Sequence, residues 1–89
     1  MITRKEYLLG KATYEEYYDQ FVDASIIAAV ENAFGERLLE GVNKIPLQEW
    51  DKLSQFVFFP SLKPYGDYLT QAGRVCILKA AARQAMQVN

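Results

Sequence analysis

Residues 73–86, GRVCILKAAARQAM, carry three cations among small and branched apolar residues at helical spacing. Two readings compete for the stretch: a basic helix that docks on nucleic acid, or a core helix with a few charges at its margins. Phosphates lie on one side of a docked helix, so the first reading needs its cations on one side as well. At about 100° per residue, with Val75 at zero, Lys79 falls at about 40°, Arg83 at about 80° and Arg74 at about 260°. The three form no common stripe. The same wheel gathers Val75, Leu78, Ala82, Ala85 and Met86 into one arc, widened by Ile77 and Ala81, as in a helix embedded against two or more neighbours. The stretch therefore predicts a central core helix from about Thr70 to Met86, whose Lys79 and Arg83 complement the helix dipole toward its C-terminal half.

At the other end of the chain, ITRKEYLLG predicts a short helix. Thr3 caps its free amides, Glu6 occupies the reciprocal capping-box position, Ile2 staples onto Tyr7, and Gly10 ends it. The same grammar recurs in ATYEEYYDQF, with Thr13 and Glu16 opening a helix that can run to Phe34 before Gly35. Its first half sets Tyr14, Tyr17, Tyr18, Phe21, Ala24, Ser25 and Ala28 on one face, with Glu15, Asp19 and Asp23 opposite. After Ser25 the large apolar residues Ile26, Ile27, Val30 and Phe34 fall on the acidic side, so the helix either bends or breaks near Asp23–Ser25 or runs on through the interior. With no Gly or Pro to interrupt it, a continuous helix is the expectation. GERLLEG reads as one or two helical turns closed by Gly41, and Pro46 suits the first turn of the next helix. That helix places Leu47, Trp50, Leu53, Ser54 and Val57 on one side; residues 56–59 could also be a strand. PSLKPYGDYL is a loop by its two prolines and Gly66.

The elements sum to an all-α fold: a compact bundle of three or four main helices with short helical turns between them. Eighty-nine residues suit one helical domain spanning 1–89. The content, 51% hydrophobic and 24% charged, is too apolar for intrinsic disorder. A single cysteine, Cys76, excludes an intramolecular disulfide framework. The charged start lacks the apolar core of a signal peptide, and no run approaches the roughly 20 residues of a membrane span. The expected location is the cytoplasm, with no membrane partner. A net charge of −1 argues against a dominant pull toward phosphate, yet residues 1–59 carry 6 basic and 10 acidic groups and residues 60–89 carry 4 and 1.

Histidine is absent, which removes His-based acid–base chemistry, the Ser-His and Cys-His pairs and most zinc sites. There is no Gly-rich phosphate loop and no nucleophile elbow. Glu15, Asp19 and Asp23 recur every four residues and could line a ridge for Mg²⁺, but such ions need ligands from more than one direction; a solvated face explains them. Cys76 shares a sector with Lys79 and Arg83, which could activate a thiol, although a cysteine among alanines serves as a small apolar filler. The expectation is no enzyme, no cofactor and no metal. Tyr7, Tyr14, Tyr17 and Tyr18 are four tyrosines within twelve residues. Either they form the core edge where the first helix folds onto the second, or some of them face a partner, because Tyr tolerates both settings.

Two stretches, MITRKEYLLGKATYEEYYDQF and GDYLTQAGRVCILKAAARQ, resemble small uncharacterised proteins of tailed bacteriophages. The resemblance covers under half the chain and contains no named functional motif. It implies a viral protein expressed in the host cytoplasm and carries over no activity. The functional expectation is thus a non-enzymatic protein–protein interaction factor, a small phage-encoded accessory protein acting on a host or viral protein or on itself, with Tyr7, Tyr14, Tyr17 and Tyr18 as interface candidates. The alternative is a nucleic-acid-associated accessory protein using Lys63, Arg74, Lys79 and Arg83 of the basic C-terminal region.

Overall fold

Thr3 and Thr13 open the first two helices in the same way. In the computed structural model, which describes residues 1–59 and 70–87, each threonine hydroxyl accepts the amide of the glutamate three residues on, Glu6 or Glu16, at 3.1 Å. Each glutamate carboxylate in turn accepts its threonine's amide. Both α1 (Arg4–Leu8) and α2 (Tyr14–Asp19) therefore begin in full capping boxes. A five-residue helix is far below the roughly 12–15 residues that an isolated helix needs, so packing must hold α1. Tyr7 stacks on Tyr17, with ring centroids 4.6 Å apart and planes within 7°. The Gln20 side chain brackets Ile2: its Oε1 accepts the Ile2 amide at 3.0 Å and its Nε2 donates to the Ile2 carbonyl at 2.9 Å.

The expected continuous helix from Thr13 to Phe34 is corrected: the chain breaks after Asp19. Phe21 and Val22 donate to Tyr18 and Asp19, three residues back, which tightens the end of α2. Asp23 then turns fully extended, at φ −130° and ψ 175°, and caps a new helix, α3 (Ala24–Phe34), by accepting the Ile26 amide at 2.9 Å. Asp is as good an N-cap as Thr, and here it satisfies one of the four amides that a new helix start leaves without intrahelical partners. The break also resolves the change of apolar face. It lets Tyr17, Tyr18 and Phe21 on one side of the kink, and Ile26, Val30 and Phe34 on the other, all become buried. Asp23 thereby leaves the ridge of Glu15 and Asp19.

Beyond Phe34 the backbone tightens into 3-10 geometry over Gly35–Glu40 and again over Val42–Lys44, separated by Gly41 at φ 118°. Pro46 stands one residue earlier than a first-turn proline, as the N-cap of α4 (Leu47–Phe56), where its carbonyl accepts the amides of Glu49 and Trp50. Trp50 and Ser54 of α4 are fully buried, whereas Leu47, placed with them on the wheel, is exposed. Phe56 is the last helical residue and Val57 is extended, which settles the helix-or-strand question over 56–59. The proposed loop is residues 60–69 and lies outside the described residues.

The last helix, α5 (Gln71–Gln87), is the centre of the structure. Thr70 caps it, its hydroxyl accepting the Gly73 amide at 3.0 Å. Val75, Cys76, Ile77, Leu78, Ala80, Ala81 and Ala82 are all buried, so its middle is enclosed except along the sector of Lys79 and Arg83, with α2, α3, α4 and both 3-10 stretches packed around it. The architecture is all-α, with no strand among the described residues, and no helix there is long and apolar enough to cross a membrane.

The Asp23 cap has a measurable pH signature. The Ser25 hydroxyl, at 2.7 Å, and then the Ile26 amide hold its carboxyl below the usual aspartate range. A lowered folded pKa contributes stability that is complete above the ordinary value and fades as pH falls through the lowered one. Asp23→Ala is expected to lose about 1 kcal/mol in chemical denaturation at neutral pH. The difference from wild type should shrink in acid, and a gap that stays constant into acid would refute the role.

Candidate functional site

The tyrosines converge. Tyr17 meets Tyr18 edge-on at 5.0 Å and Phe21 at 5.5 Å, while Tyr14 meets Tyr18 at 4.7 Å. Tyr17 and Tyr18 are interior residues, 1% and 6% exposed, so neither presents a ring to a partner. Tyr7 is half-buried against them, and only Tyr14 keeps an accessible edge. The group is the core edge where α1 and α2 fold together, and Tyr14 and Tyr18 join it to α5. Tyr14 donates its hydroxyl hydrogen to the Ala72 carbonyl at 3.0 Å. The Tyr18 ring rests directly over Gly73, where an added Cβ would lie 2.5 Å from Cε1 and 2.8 Å from Cζ.

Between α2 and α5, Tyr14, Glu15, Cys76, Lys79 and Arg83 line a cleft of about 200 Å³. It holds the most reactive side chains among the described residues, yet their chemistry is muted. Burial foremost, with the Cys76 sulfur beside it, pushes the Tyr14 phenol up to about 12. Burial also raises the Cys76 thiol, and the Asp19 carboxylate adds to this; Arg83 and Lys79 pull the other way without prevailing. A thiol kept protonated is a packing group, not a nucleophile. No group of three or more Cys, Asp or Glu side chains is placed to hold a metal among the described residues.

The cations separate as the wheel predicts. Arg74 turns toward α4, its guanidinium 5.2 Å from the Phe59 ring centroid and its Nη1 3.4 Å from the Ser54 carbonyl. Lys79 and Arg83 share the Tyr14 cleft with the Glu15 carboxylate. Lys63 lies outside the described residues.

A surface that the tyrosine-centred reading missed lies between α3 and α4. Ala33, Phe34, Leu53 and Phe56 form an apolar groove of about 300 Å³, with Arg37, Glu49 and Lys52 along it. Arg37 and Glu49 close one side with a 2.9 Å ion pair, and Phe34 packs on Trp50 beneath at 4.7 Å. Phe56 stands out here at 81% exposed, and Phe58, just beyond the end of α4, is 87% exposed. The sequence held a signal in its helix-or-strand ambiguity: over 56–59 the exposure alternates, with Phe56 and Phe58 outward, Phe59 buried and Val57 half-buried. Period-two alternation separates two faces of an extended segment. The chain matches no protein-family model, no curated protein and no solved structure.

Two outcomes follow from this geometry. Gly73→Ala would ordinarily gain about 1 kcal/mol in a helix, but the rigid Tyr18 ring cannot yield to the new methyl. Overpacking should cost roughly 1–3 kcal/mol and lower the melting temperature; a stabilised variant would show that the ring is not held there. Cys76 should react with a disulfide reagent at least roughly tenfold more slowly in the folded protein than in urea at mildly alkaline pH. Equal rates in both states would contradict its placement.

Proposed function

We propose that the protein is a non-enzymatic interaction factor, a small phage-encoded accessory protein that binds a host or viral protein in the bacterial cytoplasm. One observation carries this reading: Phe56 lines an apolar groove while almost fully solvated, and Phe58, two residues on, is equally exposed. Burying one such ring is worth roughly 1.5–3 kcal/mol, which the free protein forgoes at both. Exposed apolar groups clustered at a groove with a polar edge are the usual mark of a protein-binding site, and Phe is enriched in the buried centre of such sites. Arg37, Glu49 and Lys52 supply that edge, where charges tune approach and register more than affinity. The phage origin and the cytoplasmic setting are supported by the two stretches that resemble tailed-phage proteins.

The non-enzymatic part rests on chemistry. Without histidine, and with the Cys76 thiol and Tyr14 phenol both pushed toward their protonated forms, the cleft between α2 and α5 holds no activated thiol or phenol near neutral pH.

The test is affinity capture from lysate of infected bacteria with the wild-type chain and a Phe56→Asp, Phe58→Asp double variant. Both residues are exposed, so the variant should keep its circular dichroism and melting temperature. A discrete protein retained by the wild type and reduced at least roughly tenfold by the variant is the expected result. Identical retention by the two, or no specific retention by the wild type, would sink the reading.

A further inference from the structure

A second groove lies on another side of α3, where the 3-10 stretch Gly35–Glu40 meets the C-terminal half of α5. It measures about 390 Å³, with Leu38, Leu39, Ala85 and Met86 as its apolar lining and Glu31 and Glu36 at its rim. Leu38 and Ala85 are buried, Met86 is half-buried, and Leu39 is 72% exposed. Glu31 and Glu36 are both exposed, and among the described residues neither has an ion pair. The nearest cation in sequence, Arg37, is turned away: it lines the Phe56 groove and pairs with Glu49. Two neighbouring residues, Glu36 and Arg37, thus serve different grooves, and among the described residues no cation pairs with the two glutamates of this one.

We propose that this groove docks a basic amphipathic segment of a protein partner, its apolar side chains on Leu38, Leu39 and Met86 and its Lys or Arg residues against Glu31 and Glu36. The charge decides the sign of the occupant. An acidic segment would set carboxylates against carboxylates, and a wholly apolar one would cover the rim while leaving two anions without partners. A cation beside each glutamate removes both penalties. The lining suits side chains of varied shape, because the unbranched thioether of Met86 adapts to what is laid on it. Alternating apolar anchors with flanking charges is the ordinary chemistry of an amphipathic helix in a groove. This surface is separate from the Phe56 groove, so the protein gains two docking faces of different charge and can bridge two partners.

The experiment uses the full chain and a fluorescent synthetic leucine–lysine helix, with a leucine–glutamate helix of the same pattern as its counterpart, followed by anisotropy at about 50 and about 300 mM salt. Saturable binding of the lysine peptide, weakened by salt, and none of the glutamate peptide is the expected result. Leu39→Ser should weaken the complex at least roughly tenfold, and Glu31→Gln with Glu36→Gln several-fold with a flatter salt response. A Glu15→Gln, Asp19→Asn variant, which removes equal charge from α2, and a Phe56→Ser variant should bind as wild type does. Circular dichroism shows that each variant is folded, as exposed positions permit. Absence of saturable binding, indifference to Leu39→Ser, or an equal loss in the α2 variant overturns the proposal. Failure here leaves the Phe56 groove to stand or fall on its own variants.

Discussion

The position of the Tyr18 ring over Gly73 fixes much of the remaining structure. Without a Cβ at residue 73, α2 approaches the backbone of α5 itself, and the ring fills the space that a side chain would take. That approach brings the Tyr14 hydroxyl to the Ala72 carbonyl and leaves Tyr17 as the platform for Tyr7, so the anchoring of α1 depends on it too. A glycine inside a helix costs about 1 kcal/mol relative to alanine, chiefly in backbone entropy. Burial of an aromatic ring against it offsets that cost, since a ring removes far more apolar area from water than a methyl does. Farther along α5 the same logic continues with Ala80, Ala81 and Ala82, whose small side chains let neighbours approach from several directions.

What was legible in the sequence was local. Both capping boxes, the short α1, the turns around Gly35–Glu40 and the embedded α5 follow from side chains that act within four residues of their own backbone, or from a periodicity that needs no partner to be seen. The break at residues 20–23 was not, because Asp23 has two uses of similar energy: a solvated position on a continuing helix, or an N-cap. The choice is made by α5, which is far away in sequence and offers a wall that Phe21 and Ile26 can both reach only if the chain turns between them. Leu47 failed for a related reason. The wheel gives a side, but how wide a side the neighbours cover is a tertiary quantity. Of the candidate sites, the divergence of Arg74 from Lys79 and Arg83 was legible as an angle. The tyrosines were legible as a cluster, with core and interface left open, since composition does not distinguish the two for an amphipathic ring.

The 3-10 stretch shows how backbone geometry distributes chemistry. Three residues per turn place consecutive side chains about 120° apart, farther than in an α-helix, so four neighbours can serve different surroundings. Leu38 enters the core, Leu39 stays in water, Glu36 lines one groove and Arg37 the other. An α-helix through GERLLEG would be shorter, with neighbours only about 100° apart, and would keep Glu36 and Arg37 nearer one another's field. Gly35 and Gly41, both at positive φ, bound the stretch and stop it from being absorbed into α3 or α4.

The distribution of aromatic rings argues that the exposed phenylalanines are not a by-product of small size. An 89-residue chain has little interior, and eleven Tyr and Phe rings with one Trp exceed what it can hide, so some must remain outside. If room alone decided, the rings with a hydroxyl would stay out, because Tyr loses less by facing water and must find a hydrogen-bond partner when buried. Among the described rings the outcome is mixed: Phe21, Phe34 and Phe59 are buried with Tyr17 and Tyr18, and Tyr14 is exposed, yet Phe56 and Phe58, which have no polar group to solvate, also stand outside within three residues of one another. Leaving these two in water while Tyr17 and Tyr18 are enclosed runs against the hydrophobic ranking. Where a sequence violates a local rule without local compensation, the compensation is expected from a functional contact. A partner that covered these two rings would supply that compensation, and it is this cost in the unbound state that supports the binding role proposed for the groove lined by Phe56.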